Sequence, residues 1–416
     1  MNKEYLPYVN LNYKPSKEDL ICNFYFEPSK GISHTEAAGA IAAESSTGTW
    51  TELTTIKRET RVNLGAKVFD INGNFCKIAY PVELFEAGNM PQIFSSIAGN
   101  IFGMKEVDNL RLLDIDFPKK IVNSFKGPLY GVKGVRKIVG VRDRPLVGTI
   151  IKPKLGLNEK EHAKVAYEAW AGGLDIVKDD ENLSSQPFNN FYKRVDETLK
   201  LKEKAEKETG EHKVYMCNVT AETKEMLKRA KYLKDSGNDY LMVDILTVGW
   251  SALQTLRDEM TKLKLVMHGH RAMHAALTRN PKHGISMKAI TKAARLIGLD
   301  QLHIGTGVGK MEGDASEVKE LVRVCEDKLF NVKPTFAVCS GGLYPGSIPA
   351  LVKLYGKDII IQAGGGVHGN MYGTRGGATA MRDAIDSVMK GKDIREYATN
   401  KKELKAAIDK WGVFDV

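Results

Sequence analysis

The sequence predicts an α/β protein in which a C-terminal (β/α)8 TIM barrel follows a smaller N-terminal α+β domain of the ferredoxin-like type. Three observations support this prediction. The chain has 416 residues, more than one ordinary domain contains. Its first part mixes strand and helix patterns without strict alternation, whereas short apolar runs alternate with amphipathic segments from about residue 145 onward. We therefore expect domains at residues 1–125 and 126–416.

Eight apolar runs carry the barrel prediction. In chain order they are LVGTIIKPK, GGLDIVKDDE, KVYMCNVT, DYLMVDIL, LKLVMHGHR, DQLHIGTG, KPTFAVCSGG and DIIIQAGGG. Such runs are typical of strands buried on both faces, and their span of roughly 270 residues matches the usual size of this barrel. The alternative is a doubly wound open sheet. That fold normally has a glycine fingerprint after its first strand, where this chain has Lys152-Pro153-Lys154.

Two local signals place elements of the N-terminal domain. Ser33 and Glu36 form a capping-box pattern at the start of an Ala-rich helix. Asn72-Gly73 stands between two apolar runs and predicts a β-hairpin with a type I′ turn. Both signals agree with a domain of mixed strands and helices.

Composition limits the classes of protein that need to be considered. Apolar residues make up 43% and charged residues 27% of the chain, which is typical of a globular protein. We expect no transmembrane helix and no secretory signal. The scattered cysteines favour neither a disulfide framework nor a zinc site, and they suit a reducing cytoplasm. The net charge of +10 is spread along helical faces, so it does not by itself select a phosphorylated substrate, a nucleic acid or a membrane as partner.

Candidate functional residues collect at the ends of six of the eight runs. In a barrel, the C-terminal ends of the strands carry the active site. The residues are Lys152 and Lys154; Lys178, Asp180 and Glu181; His270, Arg271 and His274; His303 and Lys310; Ser340, Gly341 and Gly342; and Gly364, Gly365 and Gly366. A single strand end with such residues would be weak evidence, whereas six such strand ends together predict an active site.

The segment Lys178-Asp179-Asp180-Glu181 suggests a metal site. Side chains alternate along a strand, so Lys178 and Asp180 share a face and Asp179 points away. Two carboxylates suit a hard cation such as Mg²⁺. A neutral lysine amine can take up CO2 to form an anionic carbamate, which then ligates the metal. The alternative interpretation is an ordinary salt-bridged strand end.

The glycine runs suggest phosphate binding. Backbone N–H groups in glycine turns form anion-binding concavities, and barrels often hold phosphate at the last two strands. Arg271 and His303 offer a second phosphate site, so a bisphosphate is the expected substrate, although a lone glycine run can also be a flexible turn. The loop that carries Lys310 lacks the Walker A spacing and resembles a closing lid. Zinc at the three histidines between positions 268 and 274 is disfavoured, because no further ligand motif accompanies them.

Taken together, these segments resemble the large subunit of ribulose-1,5-bisphosphate carboxylase/oxygenase (RuBisCO). The matching segments are AAESSTGTW, GNIFG, GTIIKPKLGL, GGLDIVKDDEN, HGHRAMHA, HIGTGVGKMEGD and SGGLYPG with the following GGG. The likeness is greatest to archaeal-like form III proteins, which lack a small subunit. It implies carboxylation and oxygenation of ribulose-1,5-bisphosphate in an Mg²⁺-dependent reaction, CO2 as activator, and a place in nucleoside monophosphate salvage.

The resemblance also implies roles for individual residues. Lys178 would be the carbamylated lysine and the base, with Asp180 and Glu181 completing the Mg²⁺ site. Lys152 would act as acid and base, and Lys310 would close over the site. The remaining implied residues orient or bind substrate, metal and intermediates: Lys154, His270, His274, Arg271, His303, Ser340, Gly341, Gly342, Gly364 and Gly365.

Four N-terminal residues complete the implied site. Glu44, Thr49, Trp50 and Asn100 would come from the partner subunit, which implies a homodimer or a higher homo-oligomer of dimers that needs neither nucleic acid nor a membrane. The chain departs from the family at Val367-His368-Gly369-Asn370, where a TLGHP-like run is common. This departure and the short C-terminal tail put lid latching in question.

Three rival functions remain open on the sequence alone. One is a RuBisCO-like enolase that acts on another sugar phosphate in methionine salvage. Such relatives often lose the lid lysine or part of the phosphate set, whereas this chain has Lys310, Glu44, Asn100 and Lys152. The others are a Schiff-base aldolase that uses Lys178, which borohydride trapping would reveal, and a non-catalytic barrel, which would show no metal-dependent turnover.

Overall fold

A computed structural model describes residues 4–51, 53–308 and 315–415 of the chain. The chain forms two compact units. The first comprises residues 1–127, 273–297 and 329–332, and the second comprises residues 128–272, 298–328 and 333–416. The predicted division at residues 125 and 126 stays a prediction.

Both units contain strands and helices, and the two alternate along most of the second unit. The strands are β1 (Leu20–Pro28), β2 (Lys67–Asn72), β3 (Phe75–Tyr80), β4 (Val107–Asp116), β5 (Leu146–Ile150), β6 (Ile176–Lys178), β7 (Val214–Met216), β8 (Tyr240–Asp244), β9 (Val266–His270), β10 (Gly284–Ile285), β11 (Gln301–Gly305), β12 (Phe336–Ser340) and β13 (Ile359–Gln362). The first helices are α1 (His34–Glu44), α2 (Arg58–Leu64), α3 (Met90–Ile97), α4 (Lys119–Val122), α5 (Gly131–Val139), α6 (Glu159–Ala171), α7 (Phe191–Thr209), α8 (Thr223–Asp235) and α9 (Ile245–Leu263). The later helices are α10 (His274–Thr278), α11 (Met287–Ile297), α12 (Ala315–Glu326), α13 (Ile348–Tyr355), α14 (Gly365–His368), α15 (Gly373–Met389), α16 (Ile394–Tyr397) and α17 (Lys402–Trp411).

The first unit contains a mixed sheet in the order β10-β4-β1-β3-β2. Strands β1 to β4 pair antiparallel, and, apart from the short helix α2 inserted after α1, the order β1-α1-β2-β3-α3-β4 is that of a ferredoxin-like unit. Ser33 caps α1 by accepting a hydrogen bond from the Glu36 backbone N–H, as predicted. The predicted hairpin also forms.

The turn of that hairpin differs from the prediction. Asn72 pairs with Phe75, so the two loop residues are Gly73 and Asn74 rather than Asn72 and Gly73. Of these two residues only Gly73 has a positive φ, whereas a type I′ turn needs a positive φ at both. The type I′ prediction was therefore wrong, because the strand pairing extends one residue further than the Asn-Gly pattern suggested.

The second unit is the predicted parallel barrel. Its strands pair in the order β7-β6-β5-β13-β12-β11-β9-β8, and a parallel bridge between Asn218 and Met242 closes the gap after β7. The first strand, β5, pairs with the last, β13, and together with the Asn218–Met242 bridge this pairing closes the sheet, which rules out an open doubly wound sheet. All eight apolar runs are therefore strands of one closed barrel.

The N-terminal end of the barrel is filled by apolar side chains. Val132, Val135 and Val139 of α5 pack against interior residues such as Leu146 and Phe336. This packing fills the interior at one end, and the candidate residues at the strand ends lie at the opposite end. None of the helices within the described ranges is long and apolar enough to cross a bilayer. The five cysteines are free thiols in buried positions.

Candidate active site

The C-terminal ends of the barrel strands bring most of the predicted residues to one rim. Lys178, His270 and Ser340 are the last residues of β6, β9 and β12, and His303 lies within β11. The strands themselves end earlier than the apolar runs suggested. Strand β5 ends at Ile150, so Lys152 and Lys154 lie in the following turn, and Asp180 and Glu181 lie beyond β6. Parallel strands end at the same edge, which is why residues distant in sequence meet there.

Lys178 is buried at this rim, with 1% of its surface exposed. Its Nζ donates to the Asp179 carbonyl at 2.7 Å and lies 3.1 Å from Met242 Sδ. Its Nζ also lies 3.9 Å from Glu181 Oε2. Burial lowers the pKa of the Lys178 amine, although the neighbouring carboxylates oppose the shift. A lower pKa favours the neutral amine, which is the nucleophilic form.

The two predicted metal carboxylates accompany Lys178. Asp180 is buried, and its Oδ2 accepts a hydrogen bond from Lys152 Nζ at 2.6 Å. Burial raises the pKa of Glu181, but the positive charges of Lys178 and His270 outweigh it and lower that pKa. Glu181 therefore favours the ionised form that hard cations need. Across residues 4–51, 53–308 and 315–415, no group of three or more His, Cys, Asp and Glu side chains is arranged to hold a metal.

Asp244 orients His270. Its Oδ1 lies 2.9 Å from His270 Nδ1, and the opposite ring nitrogen, Nε2, lies 3.8 Å from Glu181 Oε2. A carboxylate on Nδ1 fixes the orientation of the ring and leaves Nε2 facing the site. Asp244 was not predicted from the sequence, although it is the last residue of β8 and the strand-end rule could have found it.

Arg271 and His303 form one candidate phosphate site. Arg271 Nε donates to His303 Nδ1 at 2.9 Å. Burial lowers the pKa of Arg271 to about 10, and burial together with Arg271 holds the pKa of His303 well below its usual value. Because the imidazole is neutral and the guanidinium is poorly solvated, an anion bound here would be stabilised by a charge-assisted hydrogen bond from Arg271. Gly305 permits this arrangement, because a Cβ there would lie 2.6 Å from Arg271 Nη2.

The glycine turns form the second candidate phosphate site. Ser340 ends β12, and the next two residues, Gly341 and Gly342, have φ of +121° and +68°. Gly364 lies against Lys152, since a Cβ at position 364 would be 3.1 Å from Lys152 Cε. The absence of side chains in these turns exposes backbone N–H groups to a ligand.

A buried network that the sequence did not reveal lies behind the candidate metal carboxylates. Asp179 points away from Lys178 and Asp180, as predicted, and its carboxylate accepts hydrogen bonds from Tyr215 Oη at 2.8 Å and from the Asn218 backbone N–H at 3.0 Å. His162 Nε2 lies 3.0 Å away and Arg194 Nε lies 3.3 Å away. Burial alone would raise the pKa of Asp179, but Arg194 and His162 reverse that effect and lower it.

Asn218 connects this network to the site. Its Nδ2 donates to the carbonyls of Glu181 at 3.2 Å and Leu183 at 3.0 Å, and it lies 3.5 Å from the Asp180 carbonyl. The Asn218 side chain therefore fixes the backbone that carries Asp180 and Glu181, the candidate metal carboxylates. Lys154 contacts the same segment, because its Nζ donates to Asn182 Oδ1 at 3.3 Å.

Five predicted residues belong to the first unit. Glu44 is the last residue of α1, Thr49 and Trp50 follow it, Asn100 begins a 3-10 helix, and His274 begins α10. His274 Nδ1 lies 3.0 Å from Thr278 Oγ1. These five residues therefore lie outside the second unit, which contains the barrel residues of the site. The predicted lid residue Lys310 lies outside the described residues.

Comparison with known protein families identifies the chain. The ribulose bisphosphate carboxylase large chain catalytic domain matches residues 131–411, and the N-terminal domain of the same chain matches residues 7–121. The chain belongs to the RuBisCO large-chain family. As a member of this family, it is an enzyme of the carboxy-lyase class.

Relatives of this RuBisCO-family chain are found in archaea. A ribulose bisphosphate carboxylase of Methanosarcina mazei is 52% identical, covering 97% of this chain and 98% of the relative. That of Pyrococcus abyssi is 51% identical, covering 98% and 97%. Both carry the carboxylase name, which does not favour the enolase alternative.

Solved structures show the same fold. Octameric RuBisCO from Pyrococcus horikoshii, solved as a complex with sulfate ion, has a TM-score of 0.94 and 50% identity, covering 98% of this chain and 97% of that one. A dimeric archaeal RuBisCO from Hyperthermus butylicus has a TM-score of 0.92 and 47% identity, covering 98% and 99%. The predicted fold class is thereby confirmed.

Proposed function

We propose that this chain carboxylates, and also oxygenates, ribulose-1,5-bisphosphate by way of Mg²⁺ and a carbamate on Lys178. Enolisation of the sugar bisphosphate, CO2 addition, hydration by one water molecule and carbon–carbon cleavage would yield two molecules of 3-phosphoglycerate. The observation that carries the proposal is the buried Lys178 amine, 3.9 Å from the Glu181 carboxylate and with a lowered pKa, in a chain of the RuBisCO family.

Lys178, Asp180 and Glu181 fit an Mg²⁺ site once the lysine is modified. Asp180 and Glu181 supply hard oxygen donors. A carbamate formed from the neutral Lys178 amine and activator CO2 supplies another anionic oxygen, and it replaces an ammonium that would repel the cation. Bound Mg²⁺ would polarise the substrate oxygens as a Lewis acid.

The surrounding side chains would move protons and orient the substrate. The carbamate on Lys178 would take a proton from the sugar carbon and form the enediolate. Lys152, already within hydrogen-bonding distance of Asp180, would exchange protons with the intermediates as acid and base. His270, held by Asp244, and Lys154 would orient the reacting groups.

The two phosphate groups would occupy two separate parts of the barrel mouth, one at β9 and β11 and the other at β12 and β13. Arg271 and His303 would bind one phosphate through a charge-assisted hydrogen bond and a neutral imidazole. The turns after β12 and β13 would bind the other through backbone N–H groups. The substrate-binding residues of those turns are Ser340, Gly341, Gly342, Gly364 and Gly365.

The remaining assignments extend the proposal to an assembly. Glu44, Thr49, Trp50 and Asn100 of the partner subunit would complete each site in a homodimer or a higher homo-oligomer of dimers. Lys310 would close over the site as a lid, and His274 would contact the substrate. A cytoplasmic location and a role in nucleoside monophosphate salvage remain predictions. A host with a phosphoribulokinase and no nucleotide-derived source of the bisphosphate would argue against salvage.

The test is fixation of labelled bicarbonate into 3-phosphoglycerate without oxygen, with and without preincubation in CO2 and Mg²⁺. We expect activation by both, and a loss of roughly 10²–10⁴-fold in Lys178→Met, because this change removes the carbamate and the base together.

Lys213→Met is the matched control. Lys213 is also buried, but it lies at the N-terminal end of β7, where its Nζ donates to the Leu174 carbonyl at 3.1 Å and to Glu211 at 2.8 Å. We expect this variant to lose stability and keep activity. Folded, dimeric wild-type protein without product would overturn the carboxylase proposal and direct attention to an enolase acting on another sugar phosphate.

A further inference from the structure

The short helix α14 places His368 between two parts of the candidate site. His368 Nε2 lies 2.9 Å from the Ile150 carbonyl oxygen and 3.0 Å from Thr149 Oγ1, both at the end of β5. Its Nδ1 lies 3.0 Å from Thr374 Oγ1, at the start of α15. One ring therefore links the first barrel strand to the segment that follows the last one.

The partners of His368 determine its protonation state. The Ile150 carbonyl can only accept, so Nε2 carries a proton and donates it. Burial lowers the pKa of His368 to about 4, which leaves the ring neutral at physiological pH. Nδ1 therefore accepts a hydrogen bond from the Thr374 hydroxyl. The ring has one fixed tautomer, and each of its nitrogens has a defined partner.

A second set of contacts joins the same two segments. The Thr149 hydroxyl donates to the Ala363 carbonyl at 2.6 Å, and the Ala363 backbone N–H donates to the Gly148 carbonyl at 3.0 Å. Immediately after Ala363, Gly364 lies against the Lys152 side chain. The positions of the glycine turn and of Lys152 therefore depend on how β5 and the segment after β13 are held together.

We propose that His368 is a positioning residue that holds Lys152 and the phosphate-binding turn Gly364–Gly366 in one arrangement, so that both act on the same substrate molecule. This inference rests on the proposed function. It also assigns a role to the segment Val367–Asn370, which departs from the run common in the family.

The experiment compares His368→Leu with His368→Gln. Leucine fills the space without hydrogen bonds, whereas the amide N–H of glutamine reaches about as far as Nε2 and can donate to the Ile150 carbonyl. For His368→Leu we expect about a tenfold rise in the KM for ribulose-1,5-bisphosphate and a fall in kcat, as for the loss of a buried hydrogen bond. His368→Gln should restore both values to within a few-fold of wild type.

Binding of inorganic phosphate, measured by calorimetry, gives a readout that does not require turnover. We expect weaker phosphate binding in His368→Leu and near wild-type binding in His368→Gln. Unchanged KM, kcat and phosphate affinity in folded His368→Leu would overturn the inference, and so would equal losses in both variants. If wild-type protein binds phosphate but fixes no CO2, the proposed function fails while the phosphate result still decides the role of His368.

Discussion

Strand β6 has one buried carboxylate immediately before its first residue and another immediately after its last residue. Asp175, at the start, accepts two hydrogen bonds of 2.7 Å from Arg144 and one of 2.9 Å from the Val147 backbone. Asp179, at the end, pairs with Arg194 and accepts from the Asn218 backbone. Both are buried carboxylate–arginine pairs.

The difference lies in what each pair supports. Arg144 and Asp175 join the starts of two strands at the end of the barrel that carries none of the candidate residues. Asp179 contacts Asn218, which holds the carbonyls of Glu181 and Leu183. The same kind of interaction therefore stabilises the fold at one end of the strand and shapes the candidate metal site at the other.

The largest expected effect comes from Asp179→Asn and Asp175→Asn. Each leaves an arginine without its charged partner, fully buried Arg194 or largely buried Arg144, so each should lower the free energy of unfolding by about 3–5 kcal/mol. Only Asp179→Asn should also raise the Mg²⁺ concentration for half-activation, by roughly 10–100-fold, because it loosens the shell behind the metal ligands. Thermal melting and Mg²⁺ titration of activity measure the two effects. Equal Mg²⁺ requirements in both variants would contradict the proposal that Asp179, unlike Asp175, shapes the candidate metal site.

A smaller effect is expected from Gly305→Ala and Gly356→Ala. Both glycines have positive φ, +98° and +78°, so both substitutions strain the backbone by roughly 1–3 kcal/mol. A Cβ at position 305 would also displace Arg271, whereas nothing lies within 4 Å of one at position 356. We expect the KM for the bisphosphate to rise about tenfold in Gly305→Ala only, equivalent to about 1.4 kcal/mol. If the KM rises equally in both variants, backbone strain alone explains the effect, and the contact with Arg271 does not.

The smallest effect concerns His212, which lies between α7 and β7 at the N-terminal end of the barrel. Hydrogen bonds to Asp239 and Glu206 raise its pKa to about 9. Because the folded state favours the protonated ring, this stabilisation is complete below the usual pKa of 6.5 and is lost as pH rises to about 9.

His212→Gln tests that pH dependence. At about pH 6.5 we expect the variant to be less stable than wild type by about 1 kcal/mol, since solvent screens this partly exposed group. The difference should disappear above about pH 9.5, and activity should be unaffected. Melting temperatures measured across this range check the prediction. A difference that persists at high pH would show that packing, rather than charge, is responsible.

Several site residues could be predicted from the sequence because strand alternation and strand ends are local properties. Lys178 and Asp180 share a face, and Asp179 points away, as the two-residue period of a strand requires. Asn218 and Asp244 follow the same rule at the ends of β7 and β8, but their runs carried no cluster of charges to draw attention to them.

Other contacts could not be predicted because they depend on distant parts of the chain. Arg194 and His162 lie on two different helices, and only the packing of those helices against β6 brings them to Asp179. In the sequence, His368 stands out only as part of a segment that departs from the family. Its contact with Ile150 spans 218 residues of sequence.

The alternating order of strands and helices, the eight barrel strands and the types of residue at their C-terminal ends could all be read from the chain, because period and composition are properties of short segments. The folded structure was needed to show that β13 pairs with β5, that Asp244 holds His270, and that burial lowers the pKa of Lys178. Barrel closure and burial depend on contacts between residues far apart in the chain. The reactivity proposed for Lys178 depends on the same contacts, because desolvation acts only once the surrounding strands have enclosed the amine.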